Sequence, residues 1–247
     1  MLRDFFKTRA RSFNKLQWVH NRDYLRRMIR CCKLKKSDIV LDVGTGTGVV
    51  AKEIASKVDR IIGIDISVAM LKKGGASGIG NNGEYYVLRG DIREKIFTEN
   101  LFDKIIIRLV LHHILTGLDR AMQECYRILK PGGLLVISEG VPPSRRTKKR
   151  YMEIFKLKEK RRVFLDNDLI ALVKRAGFKI VKTDTLILKN MSIKSWLKNS
   201  NVPEHVRNRI FNLHKTAPKS FWEDYDMKYR DGDLFINMKK FIVVGAK

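Results

Sequence analysis

The stretch Asp38–Ala55, DIVLDVGTGTGVVAKEIA, constrains the fold more than any other part of the chain. Ile39, Val40, Leu41 and Val43 make a short apolar run around Asp42, the pattern of a strand buried on both faces. Glycines follow at 44, 46 and 48. Then Val49, Val50, Ala51, Ile54, Ala55 and Val58 recur at helical spacing, with Lys52, Glu53 and Lys57 on the opposite side. The unit reads strand, glycine turn, helix. Glycine admits positive φ and leaves no Cβ in the way of a ligand approaching the backbone. A helix start presents unbonded N–H groups and a partial positive charge. The dinucleotide fingerprint G-x-G-x-x-G is not met, because the third glycine falls one residue early at Gly48. No G-x-x-x-x-G-K-[ST] occurs, which excludes a P-loop.

Further strands and helices alternate along the chain. RIIGID ends at Asp65, and Ser67 is placed to cap the helix that follows. GGASGIGNNG reads as a loop, and YYVLRGD as a third strand ending near Asp91. A fourth strand spans Lys104 to Arg108 and leads into LVLHHI. LDRAMQECYRILKPGG is an amphipathic helix stopped by Pro131 and Gly132, before a fifth strand LLVISEG. NDLIALVKRAG is a helix closed by Gly177, FKIVKT a sixth strand, and FIVVGA the last. This alternation predicts an α/β fold, a doubly wound and mostly parallel seven-stranded sheet with helices on both faces.

In order, the chain carries LDVGTGTG, GIDIS, RGDI, FDKIIIRLVLHHI and ILKPGGLLVISE. With these motifs it resembles the class I, Rossmann-like S-adenosylmethionine (SAM)-dependent methyltransferases, closely over residues 37–140 and loosely over 163–184. The resembling group includes the ubiquinone/menaquinone-biosynthesis and related small-molecule methyltransferases. The resemblance implies SAM as cofactor. Asp42, with Gly44, Thr45, Gly46 and Gly48, would receive its methionine portion. Asp65 would hold the ribose hydroxyls, with Ile66 against the adenine face, and Met70 would also bind the cofactor. Asp91 would take the adenine amino group, with Ile92 beside the ring, and Arg108 would border the methionine and the transferred methyl. The family frame also implies a methyltransferase domain over 37–247, a basic helical cap over 1–36, and helical cap insertions at about 143–165 and 190–232.

Methyl transfer from a sulfonium is an in-line displacement, so the protein mostly positions the acceptor and removes its proton where it has one. His113 is the candidate base. Trp18, His112, Arg145 and Arg146 are the candidate acceptor contacts. No Asn/Asp-Pro-Pro-Tyr follows the fourth strand, which argues against methylation of planar amino groups. The formal net charge is +25, distributed as +10 over residues 1–37, zero over 38–142 and +15 over 143–247. A neutral core between basic flanks suits a small, anionic acceptor. It also suits the alternative reading, an RNA methyltransferase whose flanks bind phosphates, though no RNA-binding module is recognisable. A non-catalytic SAM-binding protein is the third reading. Cys31, Cys32 and Cys125 show no metal-ligand spacing, so no metal is expected, and their sparse count suits a reducing compartment. No apolar run approaches the roughly 20 residues of a membrane span. MLRDFFKTRARSFNK lacks the apolar core of a secretory signal. A cytoplasmic location is therefore expected.

Overall fold

The computed structural model describes Ala10, residues 12–75, 78–80 and 83–247. Residues 1–9 of the basic N-terminal segment, and part of the GGASGIGNNG stretch, lie outside the described residues. The strands are β1 (Ile39–Val43), β2 (Arg60–Asp65), β3 (Gly78–Gly80), β4 (Gly83–Arg89), β5 (Phe102–Arg108), β6 (Leu129–Gly140), β7 (Lys179–Ser192), β8 (Lys228–Arg230) and β9 (Asp233–Ala246). The helices are α1 (Arg22–Cys32), α2 (Val49–Ile54), α3 (Val68–Gly74), α4 (Leu118–Ile128), α5 (Lys148–Lys158), α6 (Asp166–Arg175), α7 (Ile193–Lys198), α8 (Glu204–Lys215) and α9 (Lys219–Asp224).

The strands form one sheet in the order β3-β4-β2-β1-β5-β6-β9-β7, with β8 paired to β9. From β4 through β6 the pairing is parallel, while β9 runs antiparallel to both β6 and β7. The doubly wound α/β architecture is as the alternation predicts. The strand count is corrected: among the described residues two three-residue strands join the expected seven. One of them, β3, forms within the glycine- and asparagine-rich stretch read as a loop, where Gly78↔Tyr85 and Gly80↔Gly83 pair it to β4.

Alternation at period two sends side chains to both faces of the sheet. Val40, Ile106, Val136 and Ile242 pack on one face with α1, α2 and the helices α7 to α9. Leu41, Ile105, Ile107, Leu135 and Val243 pack on the other with α4 and α6. Both faces are covered, which is why β1 and β5 read as near-continuous apolar runs.

Helix α1 starts where the Asn21 side chain accepts the Tyr24 N–H at 2.9 Å, and it ends at Lys33 in the left-handed region, φ 48°. Tyr24 is fully buried, and its hydroxyl lies 2.8 Å from the buried Ser138 Oγ of β6. Arg27 forks onto Asp184 of β7 with two 2.7 Å hydrogen bonds. Part of the N-terminal basic charge is thus spent inside the fold.

Strands β7 and β9 are longer than their apolar cores. Their ladder runs from Lys179↔Ala246 to Ser192↔Phe235. Polar residues such as Lys182, Asp184, Lys239 and Lys240 interrupt the hydrophobic pattern, so the sequence reads only FKIVKT and FIVVGA as strand. Ser192 ends β7 and caps α7 by accepting the Ser195 N–H at 2.9 Å, so the cap helices follow directly from the extended ladder.

The Tyr24–Ser138 bond joins α1 to the sheet across 114 positions of chain. Tyr24→Phe is expected to cost about 1–2 kcal/mol, because it leaves the Ser138 hydroxyl without its partner. Adding Ser138→Ala to that variant should cost less than Ser138→Ala alone in the wild type. Denaturant unfolding of the four proteins of this double-mutant cycle checks it.

Candidate functional site

Strand β1 pairs with β2 on one side and β5 on the other, and the chain crosses over between them. This is the switch point of an open α/β sheet, where loops at the carboxyl ends part and leave a crevice. The loops after β1, β2, β4 and β5 line a cavity of about 610 Å³ that continues beneath the cap helices.

Gly44, Gly46 and Gly48 have φ of 66°, 58° and 73°, values that cost any other residue. Their surroundings are side chains of other elements. A Cβ on Gly44 would stand 2.3 Å from Cγ2 of Val110, one on Gly46 3.2 Å from Cε of Met70, and one on Gly48 3.0 Å from the Tyr85 hydroxyl. The vacated space is taken by the protein's own side chains, from three segments distant in sequence. Gly44, Thr45 and Gly46 line the cavity, but Gly48 does not; it caps α2 and is backed by Tyr85.

Asp42 is 2% exposed and accepts the Thr45 hydroxyl at 2.7 Å. Burial pushes its carboxyl up to about 7, against the Thr45 bond and the charge of Arg108. Asp65 accepts the Gly46 N–H at 3.0 Å on one oxygen and the Ser67 N–H at 2.8 Å on the other. Burial raises its carboxyl too, and these two bonds oppose the rise. Each oxygen keeps a lone pair for a further donor. Asp91 is gripped by Arg93, with Nε 3.0 Å from Oδ1 and Nη2 2.5 Å from Oδ2. Burial raises that carboxyl, but the bonds and charge of Arg93 outweigh it and leave it below the ordinary value. Ile66, Met70 and Ile92 supply apolar wall.

Arg108 ends β5. Its Nη2 donates to the carbonyls of Trp18 and Val19, each at 2.9 Å, and its guanidinium lies 4.9 Å from the Tyr24 ring centroid. It therefore anchors the chain ahead of α1 over the cavity. Its Nε is buried and makes no hydrogen bond among the described residues.

The cap half is walled by Trp18, Tyr151, Phe155, Trp196, Phe221 and Tyr225. Where the halves meet, His112 Nδ1 lies 2.7 Å from Glu139 Oε2, and Glu139 has no exposed surface. Burial raises the Glu139 carboxyl, while Arg161 and His113 act to lower it. The candidate base His113 also lines the cavity, with its ring centroid 4.0 Å from that of His112, but the carboxylate bonded to Nδ1 is on His112. His112, His113 and Glu159 offer ligand atoms within 4.8 Å of one another. Glu159 already carries Lys158 at 2.7 Å and Arg161 at 3.2 Å, cations that oppose a divalent ion there.

Arg145 and Arg146, the candidate acceptor contacts, are not among the residues that line the cavity. Arg146 pairs with Asp224 and lies 3.5 Å from Glu223; Asp224 also takes the Ser144 hydroxyl. These contacts tie the approach to α5 onto α9. Sequence reasoning assigned no role to Glu139, Tyr85, Tyr151 or Lys240. An acid in the buried run LLVISEG and a lysine within MKKFIVVGA are the signals that pointed to two of them.

Residues 41–137 match the family model described as a methyltransferase domain. The ubiquinone/menaquinone biosynthesis C-methyltransferase UbiE of Psychromonas ingrahamii is 34% identical over 134 residues, 51% of each chain. The chain spans about half the length of the curated relatives it matches. A methyltransferase structure from Bacillus halodurans superposes with a TM-score of 0.79 at 23% identity, covering 90% of this chain and 98% of that one. Phosphoethanolamine N-methyltransferase 2 of Haemonchus contortus, solved with phosphomonomethylethanolamine and S-adenosylhomocysteine, gives 0.64 at 17% identity, over 100% and 60%. Among the described residues no helix is long and apolar enough to cross a membrane.

The interlock of Gly44 and Val110 sets an expectation. Gly44→Ala should destabilise the chain by about 2–4 kcal/mol, from strain at positive φ and the clash with Val110. Adding Val110→Ala should restore part of that loss, leaving about 1 kcal/mol of backbone cost. Thermal unfolding of both variants measures the recovery.

Proposed function

We propose that this chain is a class I S-adenosylmethionine-dependent methyltransferase and moves the sulfonium methyl to a small molecule held beneath its cap. The observation that carries this reading is the continuity of the cavity. One space of about 610 Å³ joins the glycine loop and its acids to the aromatic cap, a size suited to small ligands.

The residues of the glycine-loop half fit the cofactor chemically. Asp42 offers a buried carboxylate to an ammonium, and Asp65 offers two oxygens held in place by backbone N–H groups. Ile66 and Ile92 offer apolar faces to a flat ring, next to Asp91 as acceptor for an amino group. S-adenosylmethionine supplies an activated methyl when bound. The chain's part is to orient the acceptor, exclude water and remove a proton. His112 takes the last role in this reading, in place of His113. An ionised Glu139 bonded to Nδ1 favours the tautomer whose lone pair is on Nε2, and it stabilises the imidazolium once a proton is taken. The segment before α1, helix α5 and helices α7 to α9 act as the cap. Their closure over the cavity supports a small acceptor over an RNA strand, as does the internal pairing of Arg27 and Arg146.

The affinity for S-adenosylhomocysteine should depend on pH through Asp42. Its carboxyl titrates at about 7 in the unliganded chain. Above that value the charge is present; below it the charge is lost. Calorimetry should show binding about tenfold weaker at pH 6 than at pH 8. Asp42→Asn should bind weakly at both, with that pH dependence gone.

Acceptor class is read by incubating the chain with methyl-labelled S-adenosylmethionine and a cell extract split into small-molecule, protein and RNA fractions. Label is expected in the small-molecule fraction, and its rate should fall about 100-fold or more in His112→Ala. Label confined to RNA would overturn the reading.

A further inference from the structure

The acceptor half contains a buried cation that the reaction just described does not use. Lys240 lies on β9, directly across the ladder from Gly140 of β6. A Cβ at position 140 would stand 3.2 Å from the lysine Nζ. Gly140 has an ordinary φ, so its lack of a side chain serves space rather than backbone conformation. Through that gap the lysine reaches the cavity, which both residues line.

Lys240 is 2% exposed. Among the described residues its Nζ makes no hydrogen bond and no ion pair. Its neighbours are ring faces, Trp18 at 5.6 Å and Tyr24 at 5.9 Å from the centroids. The charged groups around it have other partners. Arg161 is on Glu159 at 3.2 Å, and Glu139 is on His112 at 2.7 Å. Arg108 spends its hydrogen bonds on two main-chain carbonyls, and its Nε has none. Burial, then Arg108 and Arg161, push the lysine down to about 7, while Glu139 acts to raise it. A buried ammonium without a counter-charge is costly, and a charge of this kind is kept where a ligand completes it.

We propose that Lys240 recognises an anionic oxygen of the acceptor, so that the acceptor is a small planar molecule bearing a carboxylate or a comparably acidic group. This rests on the methyltransferase reading above. The aromatic walls supply the planar contacts, and Lys240, with Arg108 beyond it, supplies the charge. The carboxylate of the cofactor is the other anion that could meet these cations. Strand order sets Lys240, though not Arg108, apart from the glycine loop. The glycine loop follows β1, whereas Lys240 lies on β9, beyond β5 and β6. Tyr151, whose hydroxyl is 3.5 Å from the Gly140 carbonyl, further marks this wall as part of the cap half.

The test uses the full chain saturated with S-adenosylhomocysteine, titrated with benzoate and with its neutral isostere benzamide and read by tryptophan fluorescence. Benzoate should bind the wild type about tenfold tighter than benzamide, the discrimination of one buried charge-assisted contact. In Lys240→Met the preference should vanish, while S-adenosylhomocysteine affinity stays within about twofold. Lys240→Gln carries the same expectation if the methionine variant does not fold. Equal binding of the two probes by wild type, or binding of neither, overturns the proposal, as does a benzoate preference that survives in the variants. A loss of S-adenosylhomocysteine affinity in the variants, matching the loss for benzoate, assigns the lysine to the cofactor and overturns it as well. If wild type itself does not bind S-adenosylhomocysteine, it is the methyltransferase reading that fails.

Discussion

Strand β1 is hydrogen-bonded in parallel on both sides, and that pairing decides where every functional group can go. Parallel neighbours end at the same edge. The carboxyl ends of β2, β1 and β5 therefore deliver Asp65, the glycine loop and Arg108 to one crevice without further design. Because β2 and β5 lie on opposite sides of β1, the crossovers diverge and the crevice stays open. The two apolar clusters on the sheet faces hold this edge rigid. The antiparallel β6–β9–β7 section then carries the chain past the sheet and puts a roof over the opening.

The cavity collects charges that folding alone would avoid. Asp42, Asp65 and Glu139 are carboxyls whose titration burial displaces upward, and Lys240 is an ammonium displaced downward. Each is a departure from what an apolar core prefers. Asp42, Asp65 and Lys240 line one cavity, and Glu139 backs it through its bond to His112. Glu139 and His112 satisfy one another, Asp65 is held by backbone donors, and Lys240 has only ring faces. Among the described residues, the Lys240 Nζ and the Arg108 Nε have no hydrogen-bond partner.

The glycine-loop half was readable in the sequence because its chemistry is local. Asp42 and the glycines share one strand and turn, Asp65 ends β2, and Asp91 follows two residues after β4. Even there, the reason for the glycines was not local. Val110, Met70 and Tyr85 come from other elements, and only folding shows that they occupy the missing Cβ positions. Gly48 caps α2 with the Tyr85 hydroxyl behind it. The cap half was much less legible. Glu139 meets His112 across 27 residues, and Lys240 faces Gly140 across 100 positions of chain; no spacing rule connects either pair. Arg145 and Arg146 were drawn in by their charge. The structure instead ties Arg146 to Asp224, a residue within the WEDYD stretch that carries no motif. The lengths of β7 and β9 were hidden by Lys182, Asp184, Lys239 and Lys240, polar residues that interrupt their apolar runs.

The account stands on one claim, that a single cavity holds donor and acceptor at opposite ends, with the glycine loop and acids at one and the aromatic cap at the other. A crystal structure of the chain with S-adenosylhomocysteine tests this most directly. The account predicts ribose hydroxyls on Asp65, the amino end of the ligand at Asp42, and its sulfur facing His112 with the space toward Lys240 unfilled. A ligand lodged among Trp196, Phe221 and Tyr225, or bound on the outer surface away from the glycine loop, would contradict it.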